Sequence, residues 1–114
     1  MIMDRLEKMF ALQEQLNERC GVSVRGLSEA EKIEWLLKYA RALQQEVAEL
    51  VDSVPWKWWK KQQQFDEKNA KMEIIDSMHF IISAGQVLGL TADDFYDAYL
   101  EKNKINHHRQ DTNY

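Results

Sequence analysis

The sequence predicts an all-α fold, a helical bundle of about four main helices whose core is completed by homodimerisation. Three observations predict it. Apolar residues recur at helical spacing through Ile33, Leu36, Leu37, Ala40, Leu43, Val47, Leu50, Val51 and Val54, a period of 3.6 held for roughly six turns. The 114 residues include one Pro and four Gly, while Leu, Ala, Glu, Gln and Lys are plentiful, a composition that favours helix. Two capping boxes, Ser28 with Glu31 and Thr91 with Asp94, mark helix starts.

The first helix is expected over about 3–20, with Leu6, Phe10 and Leu16 on one side and Gly21 as its stop. "GVSVRGL", 21–27, is a loop. The second helix opens at Ser28 and ends at Pro55, which cannot continue it. "WKWWKKQQQ" connects it to a third helix over about 66–88, which stops at Gly89. The fourth opens at Thr91 and runs to about 108, and "QDTNY" is a tail. No internal repeat or boundary interrupts the chain, so 1–114 reads as one domain. Long helices joined by short loops make a bundle. The third helix is apolar almost all round, so one side needs a partner. A second copy supplies it most simply, and a self-contained four-helix monomer is the alternative.

Charge excludes some classes of function. The net charge of −4 argues against an electrostatic hold on nucleic acid, although "EKNKINHHRQ", 101–110, is locally basic. Cys20 is the single cysteine, which rules out an internal disulfide and suits a reducing cytoplasm. "MIMDRLEKMF" carries acids early and has no apolar h-region, so no signal peptide is expected. No apolar run reaches about 18 residues, so no membrane span is expected.

The chemistry is concentrated in acids. Glu73 and Asp76 lie three apart inside "MEIIDSMHFII", 72–82, where an ionised carboxylate costs several kcal/mol unless it is paired or binds a cation, about as much again for its neighbour. Glu46 and Glu49 repeat the spacing beside Val47 and Leu50. If the two helices pack antiparallel, four carboxylates converge. They must then raise their pKa values or take hard cations, and Mg²⁺, an oxygen-seeking ion that shares its shell with phosphates, fits best. No Cys/His cluster suggests zinc. Taken singly, an E-x-x-E is also what a solvated helix face looks like. His79, one turn beyond Asp76, is open to two roles, a satisfied core residue or a ligand contact.

E-x-x-E (Glu46, Glu49) followed by E-x-x-D (Glu73, Asp76) resembles the MazG-like all-α nucleoside triphosphate pyrophosphatase superfamily. Three further segments resemble its dimeric dUTPase branch: "ALQEQLN" at 11–17, "PWKWWK" at 55–60, and the K-N-x-x-N-x-x-R-Q pattern within "EKNKINHHRQ". The resemblance spans nearly the whole chain. One departure is visible: the family carries Gly-Tyr soon after R-Q, and here "TNY" leaves Tyr114 as the substitute.

The resemblance implies Mg²⁺-dependent hydrolysis of dUTP, and of dUDP, to dUMP. It assigns two or three Mg²⁺ per site, with Mn²⁺ as a substitute, to Glu46, Glu49, Glu73 and Asp76. Glu49, with Glu46 beside it, is the catalytic acid expected to act as general base. Gln13 and Asn17, on one face of the first helix, would read uracil, whose edge is carbonyl, N–H, carbonyl. Without the resemblance they would pass for polar surface. Trp58, His79 and Asn103 are assigned to base and sugar, and Lys57, Lys60, Lys102, Asn106, Arg109 and Tyr114 to phosphate. At least one tryptophan of the connector is expected to serve as a core lid or dimer contact. A broader pyrophosphatase acting on dCTP or modified nucleotides is the alternative, and a non-catalytic helical interaction module the third reading.

Overall fold

Four residues whose side chains accept hydrogen bonds open the four helices of the computed structural model, which describes residues 2–112. Asp4 caps α1 (Arg5–Arg19), Ser28 caps α2 (Glu29–Asp52), Asp66 caps α3 (Glu67–Val87) and Thr91 caps α4 (Ala92–Asp111). At Ser28 and Thr91 the box is complete. Glu31 and Asp94 accept from the cap N–H at 3.0 and 2.9 Å. Each cap is worth about 1 kcal/mol. α1 and α3 end alike, on a glycine in the left-handed region, Gly21 (φ +81) and Gly89 (φ +80). There Val22 N–H reaches back to Asn17 O and Leu90 N–H to Gly85 O, closing the helix ends without a Cβ penalty.

α2 and α3 form an antiparallel hairpin. Tyr39 meets Phe80, Glu46 and Glu49 meet Glu73, and Ser53 meets Asn69. α1 lies on α3 through Phe10, Gln13 and Asn17. The buried apolar residues fall in two small clusters. One joins Phe10, Ile82 and Ala92, with Phe95 standing edge-on to Phe10 at 4.8 Å. A Cβ at position 85 would overlap the Phe95 ring, so Gly85 is what lets α4 approach α3. The other joins Val24, Tyr39 and Val87 under Trp35, Leu36 and Phe80.

α4 turns away from α3 at 104° and every described residue from Tyr96 onward is exposed. The radius of gyration is 17.4 Å, against about 13 Å for a compact chain of this length. The α2 stripe predicted to be core is open along much of one side: Ile33, Leu37, Val47, Val51 and Val54 are exposed, as are Ile74, Ile75 and Ile81 on α3. The described residues contain no strand, as the sequence predicts, and no single helix is long and apolar enough to cross a membrane.

Candidate metal and nucleotide site

The antiparallel pairing of α2 with α3 brings Glu46, Glu49 and Glu73 together, with one carboxylate oxygen of each within 4.8 Å of the others. Glu73 is buried, and Glu46 and Glu49 are half-buried. Oε2 of Glu46 and Oε2 of Glu73 have no hydrogen-bond partner among the described residues. Two ionised carboxylates cannot bond to each other, but a proton held between them can. Glu46 is the largest cause that raises the Glu73 carboxyl from 4.5 to about 7, followed by burial and by the Glu49 carboxylate. Asp76, half-buried and one turn further along α3, falls outside this group of three.

The donor set fits a hard divalent cation. It is all oxygen, the acids are close enough to share one ion's shell, and two of their oxygens are buried without a partner. A clasp at the hairpin's closed end holds the register that makes this possible. Ser53, 1 % exposed, donates its Oγ proton to Glu49 O at 3.1 Å and accepts from Asn69 Nδ2 at 2.7 Å. Its carbonyl accepts from Asp66 N–H at 2.8 Å. Neither Ser53 nor Asn69 stands out in the sequence, because a serine near a helix end is an ordinary cap candidate.

Gln13 and Asn17 lie on the face of α1 that meets α3, and both are buried. Gln13 Nε2 donates to Asn17 Oδ1 at 3.2 Å and to Ser83 Oγ at 3.1 Å, and Asn17 Nδ2 donates to the same Oγ at 3.1 Å. Gln13 Oε1 meets His79 Nδ1 at 2.5 Å. An amide oxygen can only accept, so His79 Nδ1 carries the proton of this bond. His79 itself is exposed. Sequence reasoning missed Ser83, which is 0 % exposed and reads as a small core residue.

The connector is held by Gln63. Its side chain accepts from Lys57 N–H at 2.9 Å and donates to Lys57 O at 2.5 Å and Lys60 O at 3.0 Å. Trp56 Nε1 donates to Asp52 at 3.0 Å, and Trp59 stands edge-on to both Trp56 and Trp58. Trp58 is 86 % exposed. Lys57 and Lys60 line a cleft with Asp52 and Trp56. Lys102, Asn103, Asn106 and Arg109 lie on the exposed part of α4, beyond Phe95, the residue through which α4 packs on Phe10 of α1 and against Gly85 of α3. Tyr114 lies outside the described residues. A cleft of about 480 Å³ between α1, the Val24–Leu27 segment and the α3–α4 turn contains none of the candidate metal, base or phosphate residues.

An all-α chain whose central hairpin gathers both glutamates of E-x-x-E and the first acid of E-x-x-D is arranged as the resemblance to the MazG-like pyrophosphatases implies. A family model described as dUTPase matches residues 5–87 and 81–114, and the chain belongs to that family. It is also 28 % identical over 96 residues to a protein named dCTP pyrophosphatase from Enterobacteria phage T4. That match covers 82 % of this chain and 49 % of the phage protein, so the chain spans about half the length of this curated relative. No solved structure matches the chain significantly.

Proposed function

We propose that this chain hydrolyses dUTP to dUMP and pyrophosphate, and dUDP to dUMP and phosphate, as a Mg²⁺-dependent homodimer. The observation that carries the proposal is the convergence of Glu46, Glu49 and Glu73 around two orphaned buried carboxylate oxygens. With Asp76 they would hold two or three Mg²⁺, or Mn²⁺ in its place. When bound, the cation neutralises charge on the phosphate oxygens and acidifies a coordinated water. Glu49 takes the proton of the attacking water, with Glu46 beside it. Gln13 and Asn17, braced by His79, read the base edge. Trp58 packs on the base or sugar, and Asn103 contacts the sugar. Lys57, Lys60, Lys102, Asn106, Arg109 and Tyr114 meet the phosphates.

Dimerisation is supported by the exposed apolar stripes on α2 and α3 and by the expanded radius of gyration. A second copy presents the same stripes, so a two-fold contact buries both at once. It also supplies a body against which α4 and its polar strip can pack. The exposed, unpaired Cys20 agrees with a reducing, cytoplasmic setting. Net charge gives no support for a nucleic-acid partner.

A dCTP pyrophosphatase is the second reading, favoured by the name of the phage relative. Comparison of kcat/KM for dUTP, dCTP and dTTP with Mg²⁺ separates the two. The proposal expects dUTP to lead by tenfold or more. A lead by dCTP replaces it with the second reading, and no turnover of any nucleotide removes both.

A further inference from the structure

The geometry points to Ser83 as the residue that makes the α1 edge read uracil rather than cytosine, by fixing the orientation of the Asn17 and Gln13 amides. The inference rests on the reading of Gln13 and Asn17 as base contacts, and adds to it a residue that never touches the base.

Ser83 Oγ donates to His79 O at 3.0 Å, the carbonyl one turn back on its own helix. A hydroxyl has one proton, so while that bond is kept Ser83 can only accept from its other neighbours, and it could meet a reversed amide only by giving the bond up. Two neighbours give it an N–H, Gln13 Nε2 and Asn17 Nδ2, each at 3.1 Å. Tyr39 also lies beside it, a phenol whose pKa burial pushes up. Now rotate the Asn17 amide by half a turn. Its oxygen faces the Ser83 lone pairs at 3.1 Å and its NH₂ faces Gln13 Nε2 at 3.2 Å. Two hydrogen bonds become two repulsions in a buried place. Turning both amides together leaves two oxygens facing a hydroxyl with a single proton, which can meet only one of them and must leave the His79 carbonyl to do so.

The orientation matters because of what remains. Gln13 has used both N–H groups, and Asn17 keeps one N–H and one lone pair. Uracil presents N–H at N3 flanked by carbonyls. Cytosine presents a bare nitrogen at N3 beside an amine. With sugar and phosphates holding the base in one register, an Asn17 oxygen placed for the uracil N3–H meets the cytosine N3 lone pair instead. Reading cytosine in that register needs the flipped amide that Ser83 forbids. Mismatches of this kind are what let a hydrogen-bonding site discriminate strongly.

The test compares kcat/KM for dUTP and dCTP in wild type, Ser83→Ala, Ser83→Cys and Ser83→Thr, with circular dichroism confirming the fold. Ala removes the acceptor, Cys replaces it with a poor one, and Thr keeps it. Should Ala fail to fold, Cys gives the same comparison. The dUTP to dCTP ratio is expected to fall about tenfold in Ala or Cys, carried by a rise in KM for dUTP, and to stay within about threefold of wild type in Thr. If both activities fall in proportion, Ser83 is only structural and the inference is overturned while the uracil reading stands. If wild type shows no preference for dUTP, the uracil reading fails and the inference with it.

Discussion

Replacing Glu73 by Gln should flatten the pH dependence of the metal-free protein. The wild-type carboxyl lies against Glu46, is buried and faces Glu49, and together these raise it from 4.5 to about 7. The native state therefore binds this proton more tightly than the unfolded chain does. Between about pH 4.5 and about 7 the native state holds the extra proton, so this group's contribution to stability is greatest below that window and falls as pH rises through it. Gln does not titrate, and in Glu73→Gln the fall disappears. Cation binding runs the other way, because it needs the ionised acid. Proton competition weakens apparent affinity as pH falls below the raised pKa, so the apparent Kd for Mg²⁺ should rise several-fold, on the order of one proton's worth per pH unit, between pH 7 and pH 6. Thermal melts of both proteins in chelator from pH 4.5 to 8, with Mg²⁺ titrations at pH 6 and 7, read both effects. Melting profiles of identical shape, or equal Mg²⁺ affinity at the two pH values, would refute the reasoning.

Three further outcomes are expected. Asn17→Ala should lower the dUTP to dCTP ratio of kcat/KM by about tenfold or more while Mg²⁺ still raises the melting temperature, and an unchanged ratio would remove Asn17 from base selection. Ile33→Glu with Leu37→Glu, placed on the exposed α2 stripe away from the acids, should convert a dimer into a monomer near 13.5 kDa by sedimentation, and wild type already monomeric at micromolar concentration would contradict the dimer. Phe10→Ala should cost about 3–5 kcal/mol in denaturant unfolding, because it empties the cluster that anchors α4 and removes the contact with Phe95. A loss below about 1 kcal/mol would show that this cluster does not hold α4.

Local chemistry made the helices legible. Ser28 with Glu31 and Thr91 with Asp94 mark starts in any context, because the cap needs only residues within one turn. Gly21 and Gly89 mark stops for the same reason. The convergence of Glu46 and Glu49 on Glu73 was legible because the three-residue spacing puts each pair of acids on one helix face, and antiparallel packing of α2 on α3 is all that is then needed to bring the faces together. Tertiary packing decided the rest. The spacing of Gln13 and Asn17 puts them on one face, but nothing in that spacing says that the face meets α3. Their partner Ser83 is far away in the chain, and its role comes from a bond to its own helix backbone. Gln63 and Ser53 bond to backbone atoms, which carry no side-chain signature, and Asn69 reaches Ser53 from the other end of the connector. The direction of α4 was illegible because its course depends on Phe95 meeting a glycine at position 85.

The central claim is that Glu46, Glu49 and Glu73 form a metal centre that splits a nucleoside triphosphate between its α- and β-phosphates. Phosphorus NMR of dUTP incubated with Mg²⁺ tests it most directly, run on wild type and on Glu49→Gln. The account predicts that wild type gives dUMP and pyrophosphate in equal amounts. It predicts no turnover without a divalent cation, and a loss of at least a hundredfold in the folded Glu49→Gln protein, about 2.7 kcal/mol of barrier. Release of dUDP and phosphate, turnover in chelator, or Glu49→Gln activity within about threefold of wild type would contradict it.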